Sequence, residues 1–114
     1  MKKLFAMLAV VVLSGCVSPA DLKRSEPSFS ALTKKDPKSY ALCVFPQWQE
    51  ARNEAVMSET VDGYRLIVAA EQLTDELLEV RKSGGGSEVQ LYQRVPWMPG
   101  VGRSAIEAAV KSCL

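Results

Sequence analysis

The chain reads as an α+β fold: a helix, an antiparallel meander of three to four strands, and a C-terminal helix, with both helices on one sheet face. Three observations predict it. Tyr40, Cys43, Val44, Trp48 and Ala51 recur at the spacing of one helical face. Between Ala55 and Arg94 runs rich in β-formers are punctuated by Asp62-Gly63 and by Ser83-Gly84-Gly85-Gly86. Finally, Ile106, Ala109, Val110 and Cys113 form a second helical stripe at the C-terminus. Strands in a run flanked by helices favour a layered α+β arrangement.

At the N-terminus, Lys2 and Lys3 precede an unbroken apolar run, Leu4 to Leu13, and then the small residues Ser14 and Gly15. This is the layout of a secretory signal peptide, residues 1–15. As a helix the run would span about 15 Å, roughly half of a bilayer's hydrocarbon core. It is too short for a permanent transmembrane anchor. The residue after the expected cut is Cys16, and Leu13-Ser14-Gly15-Cys16 resembles the lipobox of bacterial lipoproteins. That resemblance implies acyl chains, palmitate among them, on Cys16, and two or more such chains make a stable anchor. Val17 follows the cysteine, where Asp often retains such proteins at the inner membrane. The family rule then implies the periplasmic face of the outer membrane.

Val17 to Lys38 is interrupted by Ser18, Pro19, Ser25, Pro27, Ser28 and Pro37, with charges of both signs. Residues 16–38 are therefore expected as a lipidated, flexible tether, reaching on the order of 25 Å as a random coil. Lys34-Lys35 beside Asp36 is too small a basic patch to mark a lipid-binding surface.

The folded domain is expected over residues 39–114. Asp36-Pro37 offers an N-cap and a first-turn proline for its first helix. Pro46, inside that helix, is expected to kink or break it. Asp62-Gly63 predicts a hairpin whose two central residues take positive φ. Glu71 to Lys82 fits either a helix started by Thr74 or a strand; the Gly-rich turn that follows favours the strand. In Ser87 to Arg94, Val89 and Leu91 point one way and Glu88, Gln90 and Tyr92 the other. After a Pro/Gly loop, Ser104-Ala105-Ile106-Glu107 has the capping-box pattern.

With the signal removed, 99 of the 114 residues remain, enough for one domain. Lys2 and Lys3 leave with it, taking 14 basic side chains to 12 against 13 acidic, a net charge of −1. No long-range field follows, and nucleic acid is a poor candidate partner. The chain contains no histidine, which excludes Ser-His-Asp and Cys-His catalysis and the usual zinc sets. No catalytic residue, metal ligand or cofactor site is assigned. Carboxylate pairs one helical turn apart, Glu50 with Glu54 and Glu71 with Asp75 if that segment is helical, read as solvated faces.

Three cysteines leave an odd one. Acylation of Cys16, as the lipobox resemblance implies, leaves Cys43 and Cys113, each on the apolar stripe of its helix. They are expected as a structural disulfide. Pro96-Trp97-Met98-Pro99-Gly100 carries the one recognition signal. Trp97 and Met98 are candidate partner contacts, since Trp is enriched at binding hot spots. The favoured alternative packs the loop over the sheet edge or against Trp48.

From Tyr40 to Leu114 the chain resembles small proteobacterial lipoproteins with a Cys-paired α+β domain of unassigned function. The likeness rests on Cys43 near Trp48, on Gly63-Tyr64-Arg65, on Gly85-Gly86-Ser87 and on Val110-Lys111-Ser112-Cys113. It implies fold and compartment and carries no activity. The expectation is a non-enzymatic lipoprotein that contacts the membrane through Cys16 and binds or scaffolds an envelope protein. The alternative is an inhibitor of a cell-wall hydrolase such as lysozyme, although its Ser-Gly-rich, aromatic-rich strands are not evident.

Overall fold

The computed structural model describes residues 17–71 and 73–114. Residues 1–15, expected as a signal peptide, and Cys16 lie outside the described residues. A four-residue helix, α1 (Pro19–Leu22), is followed by strand β1 (Phe29–Thr33) and a long helix, α2 (Pro37–Ala51). Strands β2 (Val56–Thr60), β3 (Gly63–Ala70), β4 (Leu73–Ser83) and β5 (Gly86–Gln93) come next, then helix α3 (Arg103–Ser112). The sheet is antiparallel with order β1-β5-β4-β3-β2. The α+β class and the helices against the sheet are as expected, but the sheet has five strands among the described residues.

The fifth strand corrects the reading of residues 16–38 as a tether. Phe29 to Thr33 pair with Leu91 to Ser87, forming an edge of the sheet. Upstream, Ser18 caps α1 through a reciprocal box with Asp21, and Leu22 is buried. Lys35 is likewise committed: its Nζ donates to the carbonyl of Cys113 at 2.6 Å. A cation there complements the orphan carbonyls and negative dipole at the end of α3. Because β1 and β2 occupy opposite edges, α2 must cross one face of the sheet between them.

That face carries the main core. From α2 come Tyr40, Ala41, Val44 and Trp48, and from α3 Ile106, Ala109 and Val110. Beneath them lie Leu66, Val68, Leu78, Val80, Val89 and Leu91 of the central strands. The polar tips of the two large aromatics are satisfied without water. Tyr40 Oη donates to Val110 O at 2.7 Å, and Trp48 Nε1 donates to Ile106 O at 3.1 Å. Both bonds run from α2 to α3, so they fix the helix pair as well as filling the core. Burial pushes the Tyr40 phenol pKa upward. Cys43 and Cys113 are disulfide-bonded, with Cα atoms 5.9 Å apart, across the same helix pair.

Asp36 caps α2 as expected, accepting from the Ser39 N–H. Helix α2 runs through Pro46 rather than breaking there. Pro46 and Leu42, whose carbonyl loses its helical partner, are both on the exposed side. Leu73–Ser83 form a strand rather than a helix, and the turn at Gly84-Gly85 is closed by Ser83 and Gly86. The first hairpin is centred one residue earlier than predicted, on Val61-Asp62, with Thr60 paired to Gly63. Neither turn residue has positive φ. Gly63 is needed for a different reason: a Cβ there would overlap the carbonyl oxygen of Val80. The capping box also fails. Helix α3 starts at Arg103, and its N-cap is Gly102, at φ 71°. A Cβ on Gly102 would come within 2.8 Å of Ala51 O, so positive φ and close approach both select glycine.

Candidate functional site

At one end of the sheet, β4 begins, β5 ends, α2 stops and α3 starts. Among the described residues, six charged side chains converge there. Asp75 accepts from Arg94 at 2.6 and 2.9 Å and faces Arg52 at 3.4 Å. Arg52 also pairs with Glu54. Deeper, the Arg103 Nε donates to Glu76 Oε1 at 2.6 Å. Glu76 is 2% exposed, and its second oxygen, Oε2, has no hydrogen-bond partner among the described residues. Burial raises the Glu76 pKa above the usual carboxylate range, with the Arg103 and Gln93 side chains opposing that shift.

Arg103 does more than neutralise Glu76. Its remaining N–H groups donate to the carbonyls of Val95 at 2.8 Å, Met98 at 2.9 Å and Arg94 at 2.9 Å. One guanidinium thus pins both sides of the loop between β5 and α3. Val95 sits at φ 51°, an uncommon conformation for a β-branched residue. Strain of this kind persists where its surroundings over-determine it. Here the Val95 carbonyl accepts from both Arg103 and the Met98 N–H. The loop is therefore a shaped element, and a groove of about 420 Å³ lies between it and the Arg52–Asp75 pair.

The apolar residues of that loop face outward. Trp97 is 81% exposed, Met98 55% and Val101 79%. This corrects the favoured reading of the loop as a lid over the sheet edge or against Trp48; Trp48 is fully buried by the helix pair without it. Trp97 stands at the sheet margin, lining a cleft toward Phe29 and Lys111 on the helix-covered side. It also lines a groove of about 530 Å³ toward Val17 and Leu22 on the other side.

Of the sequence-predicted residues, Cys43 and Cys113 are joined and Trp97 and Met98 are brought to one exposed tip. Cys16 lies outside the described residues. The carboxylate pairs are not formed: α2 ends before Glu54, which turns to Arg52, and Asp75 belongs to a strand and to two arginines. Sequence reasoning missed Arg94 and Arg103. Their signal was positional, since they bracket the Pro/Gly loop on its two sides. Among the described residues, no three Cys, Asp or Glu side chains converge to hold a metal ion, and no helix is long and apolar enough to cross a membrane. Comparison of the chain with protein-family models, with curated proteins and with solved structures finds no match.

Proposed function

We propose that the protein is a lipid-anchored lipoprotein of the cell envelope, held at the periplasmic face of the outer membrane through acyl chains on Cys16. Its role there is non-enzymatic, binding or scaffolding another envelope component. One observation carries the reading: Cys43 and Cys113 bond to each other, so Cys16 is the one cysteine of the chain left over. That cysteine stands directly behind a basic head, an apolar run and two small residues. A disulfide also suits an oxidising compartment. The site at the loop supports a binding role, because it offers an exposed tryptophan on a loop pinned by hydrogen bonds while its acidic and basic side chains are tied to one another.

Growth with labelled palmitate tests the anchor. The native chain takes up label in the membrane fraction and a Cys16→Ser chain does not. Label retained by the Cys16→Ser chain, or a native chain whose isolated N-terminus is unmodified, refutes the proposal.

A further inference from the structure

We infer that the domain lies directly on the bilayer that its acyl chains enter, with the Trp97–Met98 loop inserted into the lipid interface as a second contact. This rests on the proposed acylation of Cys16. Val17, the next residue, is already part of the fold. Its carbonyl accepts from the Thr74 N–H at 2.9 Å, it bridges to Leu73, and it packs against the cluster of Leu22, Leu77 and Tyr92. Consecutive Cα atoms are about 3.8 Å apart, so an acyl attachment one residue before Val17 leaves no length for a spacer between it and the fold. A spacer of some twenty residues would have allowed a stand-off on the order of 25 Å. None remains, because those residues form α1, β1 and the start of α2.

The loop is at the same end of the molecule. Val17 and Leu22 form one wall of the 530 Å³ groove, and Pro96 and Trp97 form the other. A bilayer reached by chains leaving at Val17 is therefore within reach of Trp97. The loop is also suited to lipid. A Trp ring is apolar with one N–H donor and favours the headgroup level of a membrane. Met98 and Val101 add apolar surface beside it. Arg103 holds the loop by three of its carbonyls, so the tip cannot relieve its exposure by folding back. The contact is apolar rather than electrostatic, since Arg52, Arg94 and Arg103 are already paired with Glu54, Asp75 and Glu76. A protein could also cover an exposed Trp, but the covalent route to lipid beside Val17 selects the bilayer.

The test uses the acylated protein extracted from membranes, its acylation verified by intact mass, and reconstituted into phosphatidylcholine vesicles containing brominated acyl chains. Trp48 is fully buried, so subtracting the spectrum of a Trp97→Phe chain isolates the Trp97 emission. That emission should be blue-shifted, quenched by bromolipid and protected from aqueous acrylamide. The result should be equal with and without anionic lipid and insensitive to salt. If Trp97 in the acylated protein stays open to acrylamide and unquenched by bromine, the anchor stands and this inference falls. Protection from acrylamide without bromolipid quenching assigns the loop to a protein contact and overturns it equally. An unacylated mass removes the anchor reading, and this one with it.

Discussion

The two faces of the sheet are covered very differently, although they share the same strands. One lies under α2 and α3, where fifteen buried residues form a continuous cluster. The other is covered by α1 and Val17, over the small cluster of Leu22, Leu77 and Tyr92. Strand β4 shows the contrast most directly, because successive side chains point to opposite faces. Leu78 and Val80 enter the large core, and Leu77 enters the small one. Its two buried glutamates divide in the same way. Glu76, with a single cationic partner and one orphaned oxygen among the described residues, points under α3. Glu79 points to the other face, where Arg65 at 2.7 Å and Lys23 at 3.3 Å share its carboxylate. A thick apolar cover leaves a carboxylate few partners, whereas a thin one lets lysine and arginine reach it from the rim. The helix-covered face thus supplies the stability, and the thin face holds the segment that leads to Cys16.

Removing the Cys43–Cys113 bond is the largest expected perturbation of this arrangement. The bond spans 70 residues, and the chain-entropy estimate for a loop of that length is about 4 kcal/mol. A Cys43→Ala, Cys113→Ala double variant should lose that much in urea unfolding, with the slope raised by a less constrained unfolded chain. A loss below about 1 kcal/mol would mean that helix packing alone secures the thick face. Leu22→Ala tests the thin one. It removes the centre of a three-residue cluster with room to collapse, so the expected cost is about 2 kcal/mol, the low end for buried leucine. Hydrogen exchange should rise at Thr74, whose N–H is held by Val17. Exchange left unchanged there would show that Val17 docks without help from α1, and the contrast between the faces would narrow.

The difference between the faces also explains what the sequence discloses. The thick face was legible because each contributing helix repeats its apolar residues at one period, as in Tyr40, Val44 and Trp48 or Ile106, Ala109 and Val110. The disulfide expectation drew on those stripes together with the lipobox resemblance, which sets Cys16 aside. The thin face was not legible. Helix α1 is too short to show a period, and β1 is a five-residue edge strand whose half-buried Phe29, Ala31 and Thr33 alternate with Ser30 and Leu32. Serines and prolines on both sides made that pattern look like a spacer, and its partner strand lies some sixty residues away. Leu32 and Trp97 could not be sorted by hydrophobicity either, since both are exposed. The Arg103 latch was hidden for a third reason. Its partners are mostly backbone carbonyls, and a carbonyl leaves no trace in residue identity.

The smallest expected effect concerns Glu76 and is read in its pH dependence. Burial raises its folded-state pKa, so the folded chain holds this proton more tightly than the unfolded chain. The resulting contribution to stability is present in full below the unfolded value. It is lost as pH rises through the folded value. Asp21, Asp36 and Glu54 have lowered pKa values, and their contributions run the opposite way. A single pH profile therefore mixes both signs. Glu76→Gln separates them, because it leaves those three carboxylates in place. The unfolding free energy of the native chain minus that of Glu76→Gln should fall as pH rises from the ordinary carboxylate range toward neutrality. A difference that rises with pH would mean that the ionised Glu76–Arg103 pair outweighs the desolvation of its buried carboxylate. The thick face would then tolerate charge as readily as the thin one.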